Sequence, residues 1–350
     1  METRSSRKAG AKISAPNRSG AFVTSPSGLA ITYSILSADA LLAEVAGAYA
    51  IGTPVACHLL LPSMNDTYLL TTRDEHHIVR VYRTRWRTVS DIAYELDLLI
   101  HLAAKGVSVS VPIAARDGSL CHPLPAPEGT RYLVLFTYAK GRHMPWAEEK
   151  HSHLAGRMLA MIHAASDDFV SRHARRSLDL EYLIDRPLAA IRPFLAHRPG
   201  DWTYLEGVAA RLRDRIATAA AAGLDWGVCH GDFGGGNIHL FGTDTLTVFD
   251  FDLCGPGWRA YDIAGVQDVA TGPNQAEIWD SFIEGYTQVR SLAAADLAAG
   301  PLFRVTRHLF RLGLQADNVP DWGVSRVSDS NINRELTLLR EWQAEVGEDE

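Results

Sequence analysis

Two kinds of apolar spacing divide the chain. Up to about residue 138 the apolar positions come in short β-rich runs. Residues 68–71 and 77–82 flank the polar Thr72-Arg73-Asp74-Glu75-His76, which predicts a hairpin. A helix is expected next, with Ser90 as its N-cap, Ile92, Leu96, Leu99 and Ala103 at helical spacing, and a stop at Lys105-Gly106. Residues 109–114 and 131–138 read as further strands, the second being a continuous apolar run as in a buried strand. Beyond the polar link Ala139-Lys140-Gly141-Arg142 the period changes. Leu154, Met158, Met161, Ile162 and Ala165 form one helical face, and helices are expected near 177–197, 202–222, 275–290 and 292–314. A β-rich island around Val228, 238–241 and 246–251 interrupts them. The pattern is α+β: a sheet-rich part at 21–138, a hinge at 139–143, and a mainly helical part at 144–350.

Composition narrows the class. A chain of 350 residues holds about two domains at roughly 150 residues each. With 47% hydrophobic and 21% charged residues it is not disordered, collagenous or a coiled coil. No run reaches the roughly 18 continuous apolar residues of a membrane span. Lys plus Arg is 34 and Asp plus Glu is 41, so the net charge of −7 gives no basic footprint for a nucleic acid. Cys57, Cys121, Cys229 and Cys254 form no CxxC pair and do not read as a disulfide framework, so a cytoplasmic location is expected. Residues 1–20 carry Arg4, Arg7, Lys8, Lys12 and Arg18 against Glu2 and are expected to be a disordered tail. A transit peptide is the alternative.

The chemistry is concentrated in Cys229-His230-Gly231-Asp232-Phe233-Gly234-Gly235-Gly236-Asn237-Ile238-His239 and in Phe249-Asp250-Phe251-Asp252. Polar groups set between apolar strands must be satisfied by one another, by a metal or by a ligand. Asp and Asn oxygens suit a hard cation such as Mg2+, which binds substrate phosphates as well. Asp250 and Asp252 share a side if the strand continues, and serve different purposes if it ends at Asp250. Phosphoryl transfer needs a carboxylate for the attacking hydroxyl, oxygens that hold magnesium, and a cation that grips the phosphates. Asp232, Asn237 and Asp250 supply the first two. The spacing of Cys229, His230, His239 and Cys254 fits no common zinc site.

His230-x-Asp232-x-x-x-x-Asn237 followed by Asp250-x-Asp252 resembles the signature of the aminoglycoside phosphotransferase and choline kinase-like superfamily. The resemblance runs from about Ser63 to Trp322. It includes Asn65-Asp66-Thr67-Tyr68, Arg80-Val81-Tyr82-Arg83, Tyr94-Glu95-Leu96 and the segment Pro256-Gly257-Trp258-Arg259-Ala260-Tyr261-Asp262. It implies a bilobal protein-kinase-like fold, with a sheet-rich N-lobe and a mainly helical C-lobe. By that resemblance Asp232 is the catalytic base, Asn237 and Asp250 are magnesium ligands, and Asp252 is a further metal ligand or a support of the loop. Asp262 ties down the catalytic loop, and His230 is a hydrogen-bonding residue. The implied donor is ATP or GTP, held by Arg80 with Glu95, by Asn65 in a reduced phosphate loop, and by the hinge from Phe136 to Tyr138. The implied partner is a small-molecule hydroxyl acceptor, with no nucleic acid and no membrane, and the protein a monomer or homodimer. One departure stands out: Arg80 occupies the place of the family's usual Lys, and the exchange is not conservative. A protein Ser/Thr kinase similar to bacterial stress-response kinases and a nucleotide-binding pseudokinase are the competing readings. Asp268, Glu277, Asp280 and Glu284 could line a pocket for a cationic acceptor, with a solvated helix face as the alternative.

Overall fold

The computed structural model describes residues 29–234, 236–267 and 274–346. The expected tail at 1–20 and Asp268 lie outside them. Helix α1 (Ala38–Ala48) precedes strands β1 (Pro54–Pro62), β2 (Asn65–Thr72) and β3 (His76–Tyr82), then α2 (Val89–Ala104), β4 (His122–Ala126) and β5 (Gly129–Thr137). The strands form one antiparallel sheet in the order β1-β2-β3-β5-β4. Period-two alternation sorts its faces. Val79, Val81, Leu133 and Leu135 pack with Leu41 and Val45 of α1. Tyr82, Val134 and Phe136 face the other way, into a core shared with Ile92, Leu96 and Leu99 of α2. Arg80, between Val79 and Val81, is thereby delivered to the α2 side.

The expected hairpin is present, closing at Thr71 opposite His76. Other expectations are corrected. Helix α2 is capped by Thr88, not Ser90: the Thr88 hydroxyl accepts from the Asp91 amide and the Asp91 carboxylate accepts from the Thr88 amide. This reciprocal arrangement satisfies two end donors at once. The Ser90 hydroxyl donates to Ala174 O instead. Residues 109–114 form no strand, only isolated bridges from Val109 to Val248 and from Pro112 to Phe136. Pro112 has no N–H to give a ladder.

The second part opens with the short β6 (Arg142–His143) and α3 (Glu149–Ala165), followed by α4 (Arg186–Ile191) and α5 (Pro199–Ala221). The helix expected over 177–197 is broken into a π turn (Glu181–Asp185), α4 and a 3-10 turn (Arg192–Leu195). Pro187 and Pro193 each remove a helical donor there. Strands β7 (Trp226–Cys229), β8 (Ile238–Phe241), β9 (Thr245–Val248) and β10 (Gly255–Trp258) make two small sheets, β10-β7 and β6-β8-β9. Helices α6 (Ala260–Gln267), α7 (Gln275–Thr287), α8 (Ala294–Ala298), α9 (Gly300–Asp317), α10 (Val319–Trp322) and α11 (Asp329–Val346) complete the described chain. The helix expected over 292–314 is therefore two, parted at Ala299. A separate core of Leu183, Leu205, Leu212, Phe303, Leu309 and Leu336 joins the later helices. The α2 core continues into Leu159, Ile162 and Phe251, so one apolar body ties the sheet-rich part to the helical part.

Candidate active site

The alternation that turns Arg80 toward α2 places a long cation in an apolar layer, where it is 8% exposed. Such a charge needs partners. Its Nη1 donates to Glu95 Oε1 at 2.8 Å and its Nη2 to Asp250 Oδ1 at 3.0 Å. The Tyr82 hydroxyl donates to the other Glu95 oxygen at 2.9 Å. Burial disfavours the Arg80 charge, but Asp250, Tyr82 and Glu95 outweigh it and hold its pKa well above the ordinary value. Burial pushes the Glu95 carboxyl up, and Arg80 pulls it back.

The loop between β7 and β8 carries Asp232. Asp262, near the start of α6, accepts from the amides of His230 at 2.6 Å and Gly231 at 2.8 Å. Gly231 adopts φ +84°, and a Cβ there would collide with the carbonyl of Leu253, so only glycine fits. His163 Nε2 lies 3.2 Å from Asp262 and its Nδ1 lies 2.9 Å from the Tyr286 hydroxyl. Burial pushes the His163 pKa down. The neutral ring accepts from Tyr286 and donates to Asp262. Burial also opposes the Asp262 charge, yet His163 and the loop amides keep its carboxyl below the usual range. His230 acts within the loop: Nδ1 accepts from the Asp232 amide at 3.2 Å and Nε2 donates to Phe249 O at 3.1 Å. Asp262 ties down the loop and His230 is a structural hydrogen-bonding residue, as expected.

The Asp232 side chain stays half-exposed. Asn237 Nδ2 donates to its Oδ2 at 2.9 Å and to its main-chain oxygen at 3.0 Å, so Asn237 Oδ1 is left to face elsewhere. Arg307 Nη2 of α9 lies 3.6 Å from Asp232 Oδ1. The surrounding protein raises the Asp232 pKa by desolvation, and Arg307 works against that rise. Strand β9 ends at Val248, and Asp250 follows in the left-handed region at φ 62°, alone among the described non-glycine residues. Such backbone costs of order 1–3 kcal/mol and gathers at functional sites.

A cavity of about 490 Å³ lies beside these groups. Arg80, Glu95, Asn237, Asp250, Phe136 and Tyr138 line it, together with Leu60, Ile78, Leu99 and Phe249. Asp232 borders it through Asn237. Two expected site residues do not join them. Asn65 begins β2 opposite Tyr82, with its Oδ1 buried and without a hydrogen-bond partner among the described residues, and Leu60, Leu61 and Thr67 reach the cavity instead. Asp252 is turned away. Trp86 Nε1 and Arg87 Nε occupy its two oxygens, Arg87 at 3.0 Å. Burial opposes its charge, but Arg87, Arg80 and Arg175 keep its carboxyl below the usual range. Asp250 leaves the strand in the left-handed region and Asp252 lies in the 3-10 turn Phe251–Leu253, so the two aspartates meet different partners, Arg80 for Asp250 and Trp86 with Arg87 for Asp252. Arg307 and His143, which border or line the site, were not singled out by sequence, and His239 was weighed only as a zinc ligand; Arg307 is one charge on an amphipathic helix.

Among the described residues no group of three or more His, Cys, Asp or Glu is arranged to hold a metal ion. Magnesium needs less, since it keeps several waters and takes one or two carboxylates plus substrate phosphates. Asp250 and the uncommitted Asn237 oxygen fit that demand. Glu277, Asp280 and Glu284 are exposed along α7 and line neither this cavity nor the second one described below.

The model of the phosphotransferase enzyme family matches residues 63–299. An uncharacterized protein of Deinococcus radiodurans is 37% identical over 320 residues, covering 90% of this chain and 92% of its own. A homoserine kinase of Azorhizobium caulinodans is 31% identical over 301 residues, covering 82% and 89%. Among solved structures, an amicoumacin kinase in complex with AMP-PNP, Ca2+ and Ami superposes with a TM-score of 0.69 at 20% identity, covering 88% and 92%. The fold is the expected α+β protein-kinase-like one, and the chain belongs to the phosphotransferase enzyme family.

Proposed function

We propose that the protein transfers the γ-phosphoryl group of ATP or GTP, with Mg2+, to a hydroxyl of a small molecule. The observation that carries this reading is the convergence of Arg80–Glu95 and Asn237–Asp250 on one cavity, with Asp232 bonded at its edge. The homoserine kinase relative supports a small hydroxylated acceptor, and the nucleotide analogue in the amicoumacin kinase supports a nucleoside triphosphate donor.

In this reading residues 21–138 form the nucleotide lobe, 139–143 the hinge and 144–350 the catalytic lobe. Phe136 and Tyr138 flank the base, and Arg80, braced by Glu95, meets the phosphates. Asn237 and Asp250 would hold a magnesium ion, which would supply charge neutralisation for the phosphates. Asp232 accepts a hydrogen bond from the acceptor hydroxyl and aims its oxygen at the γ-phosphorus. The new O–P bond forms as the bond to the bridging β–γ oxygen breaks. The hydroxyl proton passes to the Asp232 carboxylate, and the nucleoside diphosphate leaves. The Arg80 guanidinium carries five N–H donors in one plane, so one side chain can hold Glu95 and Asp250 and still offer donors to the cleft. Four unpaired thiols accord with a cytoplasmic location. The test is a nucleotide-consumption screen against hydroxy amino acids, amino alcohols, amino sugars and nucleosides. Acceptor-dependent release of the diphosphate supports the proposal, and binding of nucleotide with no turnover across the panel refutes it.

A further inference from the structure

A second cavity of about 260 Å³ lies at the junction of the sheet-rich and helical parts and shares no lining residue with the first. The segment joining β3 to α2 forms one wall. The π turn before α4 and the α9 face of Phe310, Gly313 and Leu314 form the other. Five arginines reach it: Arg83, Arg85, Arg87, Arg176 and Arg186. Four acids line it as well: Asp91, Glu128, Asp317 and Asp321. Glu128 accepts from the Ser34 amide and hydroxyl, and Asp91 closes the α2 cap. Asp321 lies 3.3 Å from Arg83 and 3.5 Å from Arg85, and Arg87 is committed to Asp252.

Arg83 is only 7% exposed, stacks 3.8 Å over the Tyr33 ring and pairs its Nη1 with Asp321 at 3.3 Å, while its Nε has no hydrogen-bond acceptor among the described residues. A buried donor left in that state is costly, more so when it carries charge. Arg176 and Arg186 stand at the exposed rim, each 5.6 Å from the Tyr182 ring centre, and neither has a carboxylate partner among the described residues. Beneath them Tyr182, Phe310 and Leu314 offer an apolar floor.

We infer that this cavity binds a small organic anion. Its carboxylate or phosphate is held by Arg83 with Arg176 and Arg186, and its carbon body lies on Tyr182 and Phe310. Guanidinium groups match both oxyanions with paired N–H donors. A ligand seated there touches both parts of the molecule. Two sources share this chemistry: the acid group of the acceptor, or a separate anion that is not consumed. Arg307 precedes Phe310 and Leu314 at helical spacing on α9, which links the cavity to the surroundings of Asp232. The first source rests on the proposed phosphotransfer, whereas the binding itself does not.

The test begins with thermal-shift titrations of the full chain against inorganic phosphate and L-homoserine, with choline as the cationic control. The wild type shows a saturable rise with phosphate and with the carboxylate-bearing L-homoserine, and none with choline. The double variant Arg176→Gln/Arg186→Gln, altered only at exposed side chains, raises the half-saturating concentration at least about tenfold, as expected for loss of charge-assisted hydrogen bonds. Arg83→Gln abolishes the rise, and Asp232→Asn leaves it intact. No rise with either anion, or a rise that the double variant keeps, overturns the inference. Turnover separates the sources. A KM for L-homoserine that increases in the double variant, with the KM for 1-amino-2-propanol unchanged, assigns the anion to the acceptor. Unchanged KM values, with a phosphate effect on rate in the wild type alone, assign it to a separate ligand. Absence of turnover would remove the phosphotransfer reading and leave the titrations standing.

Discussion

Asp232 is held by three neighbours with distinct effects. His230 fixes its amide, Asn237 takes one carboxylate oxygen, and Arg307 approaches the other. Replacing it with Asn keeps the shape and removes the proton acceptor. The expected loss in kcat is about 10²–10⁴-fold, the usual worth of a positioned base. Nucleotide affinity, measured by calorimetry, stays within a few-fold in rough terms because Arg80 and the apolar cavity are untouched. The carboxylate must be ionised to accept a proton, so activity rises with pH through its pKa. Desolvation places that limb above the ordinary aspartate value of 3.8, while Arg307 restrains it. Arg307→Gln therefore moves the acid limb of the kcat profile to higher pH. An unmoved limb would show that Arg307 does not act on Asp232 electrostatically. At the other side of the cleft, Arg80→Met leaves Glu95 buried without its cation. That change costs about 3–5 kcal/mol of stability, read from urea unfolding.

At the scale of elements, the helices α3 and α7 meet at Gly156, where a Cβ would run into the Phe282 carbonyl of α7. Gly156→Ala is expected to cost about 1–3 kcal/mol through overpacking, seen as a lower urea midpoint with an unchanged m-value. Long periodic elements of this kind were legible in the sequence. The α3 stripe, the β2–β3 hairpin and the buried β5 run each bury one consistent set of side chains, so local pattern and tertiary packing agree. Where they part, sequence was a poorer guide. Ser90 has the residue type of a cap, but the reciprocal Thr88–Asp91 pair wins because it satisfies two donors. Residues 109–114 are apolar enough for a strand, yet Pro112 denies the ladder its bond. Strands β1, β4 and β10 and helix α1 were not expected at all; β10 is Gly-Pro-Gly-Trp and is held by pairing with β7 rather than by propensity. The site was readable where it is local, from His230 to Asp250. The fate of Asp252 was not, because it depends on Trp86 and Arg87 from a distant loop.

For the molecule as a whole, a chain of buried polar groups joins the helical core to the loop of Asp232: Tyr286, His163, Asp262 and the amides of His230 and Gly231. It requires a neutral His163, whose pKa burial holds below the ordinary 6.5. Below about pH 6.5 the unfolded chain takes up a proton that the folded chain refuses. This stabilising contribution is complete above that pH and declines as pH falls toward the folded value, by up to about 1.4 kcal/mol per pH unit. Urea unfolding between roughly pH 7 and 5 reports it. His163→Gln should flatten the slope over that interval, and an unchanged slope would assign the dependence elsewhere. No helix among the described residues is long and apolar enough to cross a membrane.

The most direct measurement follows the γ-phosphate itself. Purified wild type and Asp232→Asn are each given radiolabelled ATP, Mg2+ and a hydroxy amino acid or amino alcohol that the screen has identified, and the label on the acceptor is counted. The account predicts metal-dependent labelling by the wild type and a loss of at least about 10²-fold in the variant, with nucleotide still bound. Equal labelling by the two proteins would contradict it.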